Sequence, residues 1–194
     1  EEIVIEENSE IITSISTQQV SCFNGFDGSA SVLETTGGVG LYTYTWSNGF
    51  NSTSISNLNY GDYWLITQDS LGCTIIDTAY IGQPEQIKIF LTPTDVLCYN
   101  DTNGSILADV NGGVSFLNDT YTHEWSFNNQ VIGFNSEIVS NLHASELPYQ
   151  LTVTDYNGCS SDAFTFINQS EELRLDTSQL VPAYCQYIAT GSVS

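Results

Sequence analysis

The five cysteines are the residues of this chain with the most distinctive chemistry, because thiols form disulfides or bind metals. The alternatives are a structural zinc site and disulfides. Structural zinc sites use closely spaced ligand pairs such as Cys-x-x-Cys, and the sequence contains none. Disulfides are therefore favoured, and they indicate an oxidising compartment such as the periplasm or the cell exterior.

Four of the cysteines occur as two matched pairs, and we expect each pair to form a disulfide: Cys22–Cys73 and Cys98–Cys159. In each pair one cysteine precedes the second strand of a repeat, and the other opens the last strand. A bridge that closes a loop of roughly 50 residues stabilises a fold by about 4 kcal/mol. Cys185 has no expected partner, because its own copy of the repeat is incomplete.

Catalytic groupings of the usual kinds do not occur in the sequence. His123 and His143 stand where the other copy has Tyr44 and Asn59, so neither belongs to a repeated site. There is no Gly-x-Ser-x-Gly, His-Glu-x-x-His or glycine-rich phosphate loop. We therefore predict that the chain is not an enzyme.

The charge balance is strongly acidic, with 23 acidic residues against two basic ones and a formal net charge of −21. Such a surface repels nucleic acid and anionic lipid, so we expect no nucleic-acid partner and no direct membrane insertion. Calcium is the remaining metal to weigh, yet no Asp-x-Asp-x-Asp-Gly loop exists, and turn chemistry explains the acidic turns. We predict no cofactor and no metal, with calcium as the alternative. The turns concerned contain Asp27, Asp69, Asp155 and Asn100-Asp101.

An internal repeat of about 85 residues organises the chain. An opening block with two acidic or amide residues recurs from residues 1, 85 and 171. A cysteine followed six and seven positions later by Gly-Ser recurs at Cys22, Cys98 and Cys185. A period of this length is a whole domain with its own core. We predict a first repeat at 1–84, a second at 85–170 and the start of a truncated third at 171–194.

Within each copy, short alternating runs of Val, Ile, Thr and Tyr are separated by Gly, Asn and Asp turns, which predicts an all-β fold. We expect tandem immunoglobulin-like or PKD-like β-sandwich repeats of about seven strands each. A leucine, a turn and a tyrosine that opens a strand resemble the tyrosine corner of such sandwiches. Core positions are expected for the aromatic residues that match between copies: Trp46 and Trp125, Tyr63 and Tyr149.

The ordered set of motifs resembles the SprB repeat. In order they are Cys-(x)5-Gly-Ser, Gly-Gly, Tyr-Thr-Tyr-x-Trp-Ser, Ile-Ser-x-Leu and Tyr-x-Leu-x-Val-x-Asp-x-x-Gly-Cys, and residues 20–30 are close to the family's opening signature. The resemblance covers nearly the whole chain and is weakest over residues 105–140. It implies a very large surface adhesin of gliding Bacteroidota, exported by type IX secretion and displayed at the cell surface, with many repeats in series.

Several residues carry surface hypotheses. Strand alternation points Trp64 outward, where it is either covered by a neighbouring module or free to contact a surface or glycan. Lys88 and Arg174 occupy the same place in successive copies, which suggests a salt bridge across or beside the junction. Ser70 and Thr78 follow aspartates in a pattern that resembles the O-glycosylation acceptors of Bacteroidota.

Two functions of different classes follow from these features. The first is a repeat region of a cell-surface adhesin, associated with the outer membrane and involved in surface attachment and gliding, which acts mainly as a disulfide-locked extended stalk. Its partners are then neighbouring repeats of the same chain and external surfaces. The alternative is a polysaccharide-binding module that uses exposed aromatic residues, Trp64 above all. A third option, an accessory module of a secreted enzyme, requires a catalytic domain elsewhere.

Overall fold

The structure is a computed structural model, and it describes residues 8–115 and 121–174. These residues form thirteen β-strands in two consecutive sandwiches. No helix within the two described ranges has the length and apolar character needed to cross a bilayer. The opening block at residues 1–5, most of the predicted third repeat and Cys185 lie outside the described residues.

The first sandwich contains six strands in two antiparallel sheets. One sheet has the order β1-β2-β4 and the other β3-β5-β6. Alternate side chains on the facing surfaces form one core, which includes Trp46, Leu65 and Ile81. The strands are β1 Ile12–Gln18, β2 Gly28–Thr36, β3 Thr43–Trp46, β4 Ser54–Leu58, β5 Gly61–Gln68 and β6 Thr74–Ile81.

The second sandwich repeats this plan with seven strands. Its sheets have the orders β11-β8-β7 and β10-β9-β12-β13. Trp125, Leu151 and Ile167 take the core places of Trp46, Leu65 and Ile81. The all-β, immunoglobulin-like sandwich predicted for both copies is confirmed. The strands are β7 Glu85–Thr94, β8 Gly104–Gly113, β9 Thr122–Phe127, β10 Gln130–Phe134, β11 Ile138–Leu142, β12 Tyr149–Thr154 and β13 Ser160–Thr165.

The expected seven strands are therefore present in the second copy, whereas the described first copy has six. The extra strand comes from a longer connection after the core tryptophan. There Asn128 and Asn129 both adopt positive φ, 50° and 61°, the geometry of a tight hairpin turn between β9 and β10. In the first copy a short turn closes instead, with the Gly49 amide bonded to the Trp46 carbonyl at 2.9 Å.

A tyrosine corner is present in both sandwiches. The Tyr63 hydroxyl donates to the Asn59 carbonyl at 3.2 Å, and the Tyr149 hydroxyl donates to the His143 carbonyl at 2.9 Å. Tyr149 is fully buried and stacks on Phe127, whereas Tyr63 is half-buried. Burial raises the pKa of Tyr149, and the bond to the His143 carbonyl opposes this.

The core tryptophans are held alike in the two copies. Trp46 is 1% exposed and Trp125 is 0% exposed. The indole N–H of Trp46 donates to the Ser52 carbonyl at 2.9 Å, and that of Trp125 donates to the Ser136 carbonyl at 2.8 Å. A buried indole N–H needs such a partner, so these bonds complete the expected core role.

Each sandwich has two ends, which we name from the cysteine each one carries. At the hairpin end, the turn between the last two strands carries Cys73 or Cys159. At the loop end, the loop before the second strand carries Cys22 or Cys98. The last strand runs from the hairpin end to the loop end, and the chain then enters the next repeat at that repeat's own hairpin end.

The spatial match of the two copies refines the sequence alignment. A Cβ added to Gly37 would meet the Glu10 carbonyl, and one added to Gly112 would meet the Gln86 carbonyl. Glu10 therefore corresponds to Gln86, and the block at residues 85–89 corresponds in space to residues 9–13.

Candidate functional site

The junction between the repeats is the most chemically distinctive place in the described chain. Cys22 of the first repeat and Cys159 of the second form a disulfide, with their Cα atoms 5.6 Å apart and a sequence separation of 137. Cys73 and Cys98 are free and exposed. The expected pairings Cys22–Cys73 and Cys98–Cys159 are therefore wrong, because the disulfide joins neighbouring repeats instead of closing a loop within one.

Strand geometry explains this correction. The Val20 amide, two residues before Cys22, bonds the Gly82 carbonyl at 3.1 Å, just beyond the end of β6. Cys73 lies just before the start of the same strand. The eight residues of β6 span roughly 26 Å, while a disulfide requires Cα atoms within about 7 Å. The two cysteines of one repeat therefore lie at opposite ends of the sandwich.

Asp155 positions Cys159 at the hairpin end of the second repeat. One carboxylate oxygen accepts hydrogen bonds from the amides of Asn157 and Cys159, both at 2.9 Å. The other accepts the Val114 amide at 2.9 Å, so the carboxylate ties the cysteine-bearing turn to the loop after β8. Asp155 is a positioning residue for the disulfide, since it bonds the backbone of the bridging cysteine.

Asp69 makes the same three bonds in the first repeat, to the amides of Val39, Leu71 and Cys73 at 2.9, 3.0 and 2.9 Å. Burial acts to raise the pKa of Asp69, but the surrounding amides, including that of Gly72, outweigh it and lower the pKa below the ordinary value of 3.8. These carboxylates are occupied by turn hydrogen bonds.

The loop that carries Cys22 is fixed by local bonds. The Gly25 amide bonds the Cys22 carbonyl at 2.9 Å, and the Asn24 amide bonds the Gln83 side chain at 2.9 Å. The Ser21 amide donates to the Asp27 carboxylate at 2.9 Å. The Ser21 side chain and amide lower the pKa of Asp27. The loop thus presents Cys22 toward the next repeat.

A further contact and a cavity complete the junction. The side-chain amide of Asn157 donates to the Ser21 carbonyl at 2.9 Å, across the two repeats. Beside the disulfide lies a cavity of about 420 Å³, which Phe23 borders from the first repeat and Ile87 and Gly113 border from the second. The second repeat is therefore joined to the first by a covalent bond and a hydrogen bond, beside a cavity that residues of both repeats border.

The two basic residues do not form a salt bridge across this junction. Arg174 pairs with Glu172 at 2.8 Å, two positions away in the same exposed segment. Within residues 8–115 and 121–174, Lys88 has no carboxylate partner. The disulfide, not an ion pair, links the repeats.

The outer face of the β3-β5-β6 sheet carries Trp64, which is 51% exposed. Its cross-strand partner is the exposed Thr78, and Ile76 and Tyr80, also exposed, follow on the same face of β6. The Ser70 hydroxyl bonds the Leu41 backbone at the hairpin end. O-glycosylation of Ser70 and Thr78 stays a prediction.

Both histidines lie against aromatic side chains of the second repeat. His123 is buried on β9, with its ring edge-on to Tyr121. His143 lies beside Phe127 and Tyr149 at the tyrosine corner. Among the residues the structure describes, no three His, Cys, Asp or Glu side chains are grouped so that they could hold a metal ion.

Each sandwich contains one match to a known protein family. The SprB repeat family matches residues 14–51 and 91–129, once in each sandwich. No curated protein matches the chain. Each match begins within the first strand of its sandwich, β1 or β7, and ends just after the third, β3 or β9.

Solved structures that resemble the chain consist of immunoglobulin domains. A structure described as the basis for Dscam isoform specificity aligns over 84% of this chain and 47% of its own, at 12% identity and a TM-score of 0.36. The amphioxus IgVJ-C2 molecule aligns over 78% of this chain and 98% of its own, at 12% identity and a TM-score of 0.33. The chain thus spans about half the length of the Dscam chain, and likeness at this level carries no functional argument. The two family matches each cover one segment of a sandwich, so the chain is similar to the SprB repeat family over 77 of its 194 residues.

Proposed function

We propose that the chain is part of the repeat region of a large cell-surface adhesin that serves surface attachment and gliding motility. In this role it acts as an extended stalk whose successive repeats are locked to each other by disulfides. Export by type IX secretion and association with the outer membrane belong to the same proposal. The SprB matches support the adhesin class, and the Cys22–Cys159 disulfide supports the stalk.

The disulfide has a direct mechanical consequence for a stalk. Tension applied at the two ends of the chain passes through the Cys22–Cys159 bond and bypasses the residues between them. Both hydrophobic cores lie almost entirely within this bypassed segment. A stalk built in this way holds its length under load even when a core unfolds, which suits an adhesin that grips a surface while the cell moves.

Single-molecule stretching of the full chain tests this proposal. The separation of 137 residues between Cys22 and Cys159 corresponds to about 490 Å of extension at roughly 3.6 Å per residue. The wild-type chain should release about 490 Å less than a Cys22→Ser/Cys159→Ser variant. Wild type and variant extending equally would contradict the stalk, and the Cys73→Ser/Cys98→Ser variant is the matched control that should behave as wild type.

A second candidate is polysaccharide binding, favoured by the exposed outer face with Trp64, Ile76 and Tyr80. Aromatic side chains on a sheet stack against sugar rings through their apolar faces. Pull-down of the full chain with insoluble polysaccharides tests it. Saturable binding that is lost in Trp64→Ala and kept in Phe90→Ala, an exposed aromatic residue of the second repeat, supports this candidate, and no binding rejects it.

A further inference from the structure

We propose that the two free cysteines, Cys73 and Cys98, each form a disulfide with another repeat of this type, in a junction like the one that Cys22 and Cys159 form. The hairpin cysteine of every repeat then bonds the loop cysteine of the repeat before it. This inference rests on the proposed stalk function and deepens it, since it names the partner of each exposed thiol as a second copy of this repeat.

The hairpin end of the first repeat has the same local structure as the hairpin end of the second repeat, which is bridged through Cys159. Cys73 is held by Asp69 through the same three amide bonds that Asp155 makes around Cys159. A cavity of about 230 Å³ opens beside Cys73. Apart from Gly158, every second-repeat residue that lines the junction cavity has its counterpart in this lining, and the contribution that Cys22 and Phe23 make at the junction is absent. Matched pairs include Ile11 with Ile87, Gly38 with Gly113 and Asp69 with Asp155.

The loop end of the second repeat matches the bridged loop end in the same way. The Asp101 amide bonds the Cys98 carbonyl at 3.2 Å, as that of Gly25 bonds Cys22. The Asn100 amide bonds the Gln169 side chain at 2.9 Å, as that of Asn24 bonds Gln83. Asn24 and Asn100 share positive φ values of 57° and 60°. Cys98 is therefore exposed on a loop with the same conformation as the loop of the first repeat that carries Cys22.

The residues next to the two free cysteines complement each other. At the existing junction, Asn157 of the hairpin donates to the carbonyl of Ser21 in the loop. The corresponding residues of the free ends are Leu71, 64% exposed, and Leu97, 77% exposed. A joint between a Cys98 loop and a Cys73 hairpin brings these two leucines together and removes both from water, which favours that pairing.

Formation of the bond requires a two-electron oxidant, and a small-molecule disulfide such as oxidised glutathione supplies it. The thiolate of Cys73 attacks this disulfide, forms a mixed disulfide and releases one glutathione thiolate. The Cys98 thiolate of the other repeat then attacks the Cys73 sulfur and releases the second glutathione. Two protein thiols are oxidised, one disulfide of the oxidant is reduced, and the two protons end on the glutathione thiols.

The consequence for an array is a continuous covalent path. With every joint bridged, tension enters a repeat at its hairpin cysteine and leaves through the loop cysteine of the following repeat. In this chain one such path is the segment from Cys73 to Cys98, which contains β6 and β7, and it runs in parallel with the path through the Cys22–Cys159 disulfide. The segments from Cys22 to Cys73 and from Cys98 to Cys159 lie outside both paths.

The test uses the full chain with Cys185→Ser, so that Cys73 and Cys98 are the thiols left after Cys22–Cys159 forms. The concentrated protein is oxidised with oxidised and reduced glutathione, and its disulfides are mapped as peptides after chymotrypsin digestion. Random collision yields about twice as much Cys73–Cys98 bridge as either homotypic bridge. We expect the Cys73–Cys98 bridge to exceed this statistical ratio at least tenfold, which corresponds to about 1.4 kcal/mol of preference.

A pair of variants tests whether the leucine contact directs this pairing. Leu97→Asp should reduce the Cys73–Cys98 product about tenfold, because the joint would then bury a carboxylate against Leu71. Leu33→Asp, at an equally exposed leucine in the middle of β2, should leave the product unchanged. Statistical pairing, or thiols that stay reduced while Cys22–Cys159 forms fully, overturns this inference alone. Failure of Cys22–Cys159 itself to form in the same map overturns the proposed stalk.

Discussion

Cys22 and Cys159 join the loop end of one sandwich to the hairpin end of the next, with their Cα atoms 5.6 Å apart. The backbone near Gly82 and Pro84 is the first connection between the sandwiches, and the disulfide is a second one; Pro84 and both cysteines border the junction cavity. Two connections restrict hinge motion that a single linker permits. The junction, and not either core, is therefore what distinguishes this chain from two independent sandwiches.

Removing the disulfide should destabilise both repeats. With the bond intact, an unfolded second repeat is still tethered at both ends, which limits its conformational entropy. In the chain-entropy treatment of a loop of 137 residues, Cys22→Ser/Cys159→Ser lowers the free energy of unfolding by about 5 kcal/mol. Guanidinium denaturation followed by tryptophan fluorescence measures this, since each core contains a buried tryptophan.

The matched control for this loss is Cys73→Ser/Cys98→Ser, because both cysteines are free and exposed. Its free energy of unfolding should stay within about 0.5 kcal/mol of wild type. A loss in the control as large as in the Cys22/Cys159 variant would show that bridges lie within the repeats.

Asp69 should make the first repeat sensitive to acid. Its pKa is lowered from 3.8, so the folded state binds fewer protons than the unfolded chain in acid. The contribution is complete at neutral pH and is lost as the pH falls below about 4 and through the folded-state pKa. Asp69→Asn should therefore flatten the dependence of unfolding on pH in this range, measured by denaturation at a series of pH values. Exposed Glu34→Gln is the control, and a variant curve parallel to wild type would refute this role.

The two tyrosine corners should contribute unequally. Tyr149→Phe removes a hydroxyl from a buried site and leaves the His143 carbonyl without it, so we expect a loss of about 1–2 kcal/mol. Tyr63→Phe removes a longer bond at an exposed carbonyl, and its loss should be below about 0.5 kcal/mol. Urea denaturation of each variant compares them, and equal losses would contradict the difference in burial.

The Gly-Gly motif should tolerate no side chain. Gly37 has φ of 76°, and an added Cβ would lie 1.8 Å from the Glu10 carbonyl oxygen. Gly49 has a similar φ of 87° with nothing within 4 Å of an added Cβ. Both alanine variants share the cost of positive φ, about 1 kcal/mol, so any further loss in Gly37→Ala measures the clash. Thermal unfolding should show a clearly lower Tm for Gly37→Ala than for Gly49→Ala. Similar Tm values would contradict a clash between the added Cβ and the Glu10 carbonyl.

Much of the fold follows from local sequence. The alternation in β5 and β12, the matching tryptophans and the Asp-x-x-Gly turns each depend on a few neighbouring residues, so the sandwich, its core and its tyrosine corners were predictable. The extra strand β10 was harder to foresee, because it depends on two asparagines taking positive φ in an insert that the first copy lacks.

The disulfide partner was not predictable from spacing alone, because a repeated cysteine pair fits bonds within a copy or between copies equally well. The direction of the strands next to each cysteine would have distinguished the two kinds of pairing. Cys22 follows a strand that runs toward the junction, while Cys73 precedes another strand that runs the same way. The two therefore lie a strand length apart, and in a head-to-tail array each meets a cysteine of the adjoining repeat.

Tryptic digestion of the unreduced, denatured chain tests the junction disulfide most directly. Lys88 and Arg174 are the two basic residues of the sequence, so trypsin separates the Cys22 and Cys73 segment from the Cys98 and Cys159 segment. We predict that residues 1–88 and 89–174 stay linked until a reductant is added. Release of the two segments as separate, internally bridged fragments without reductant would contradict it.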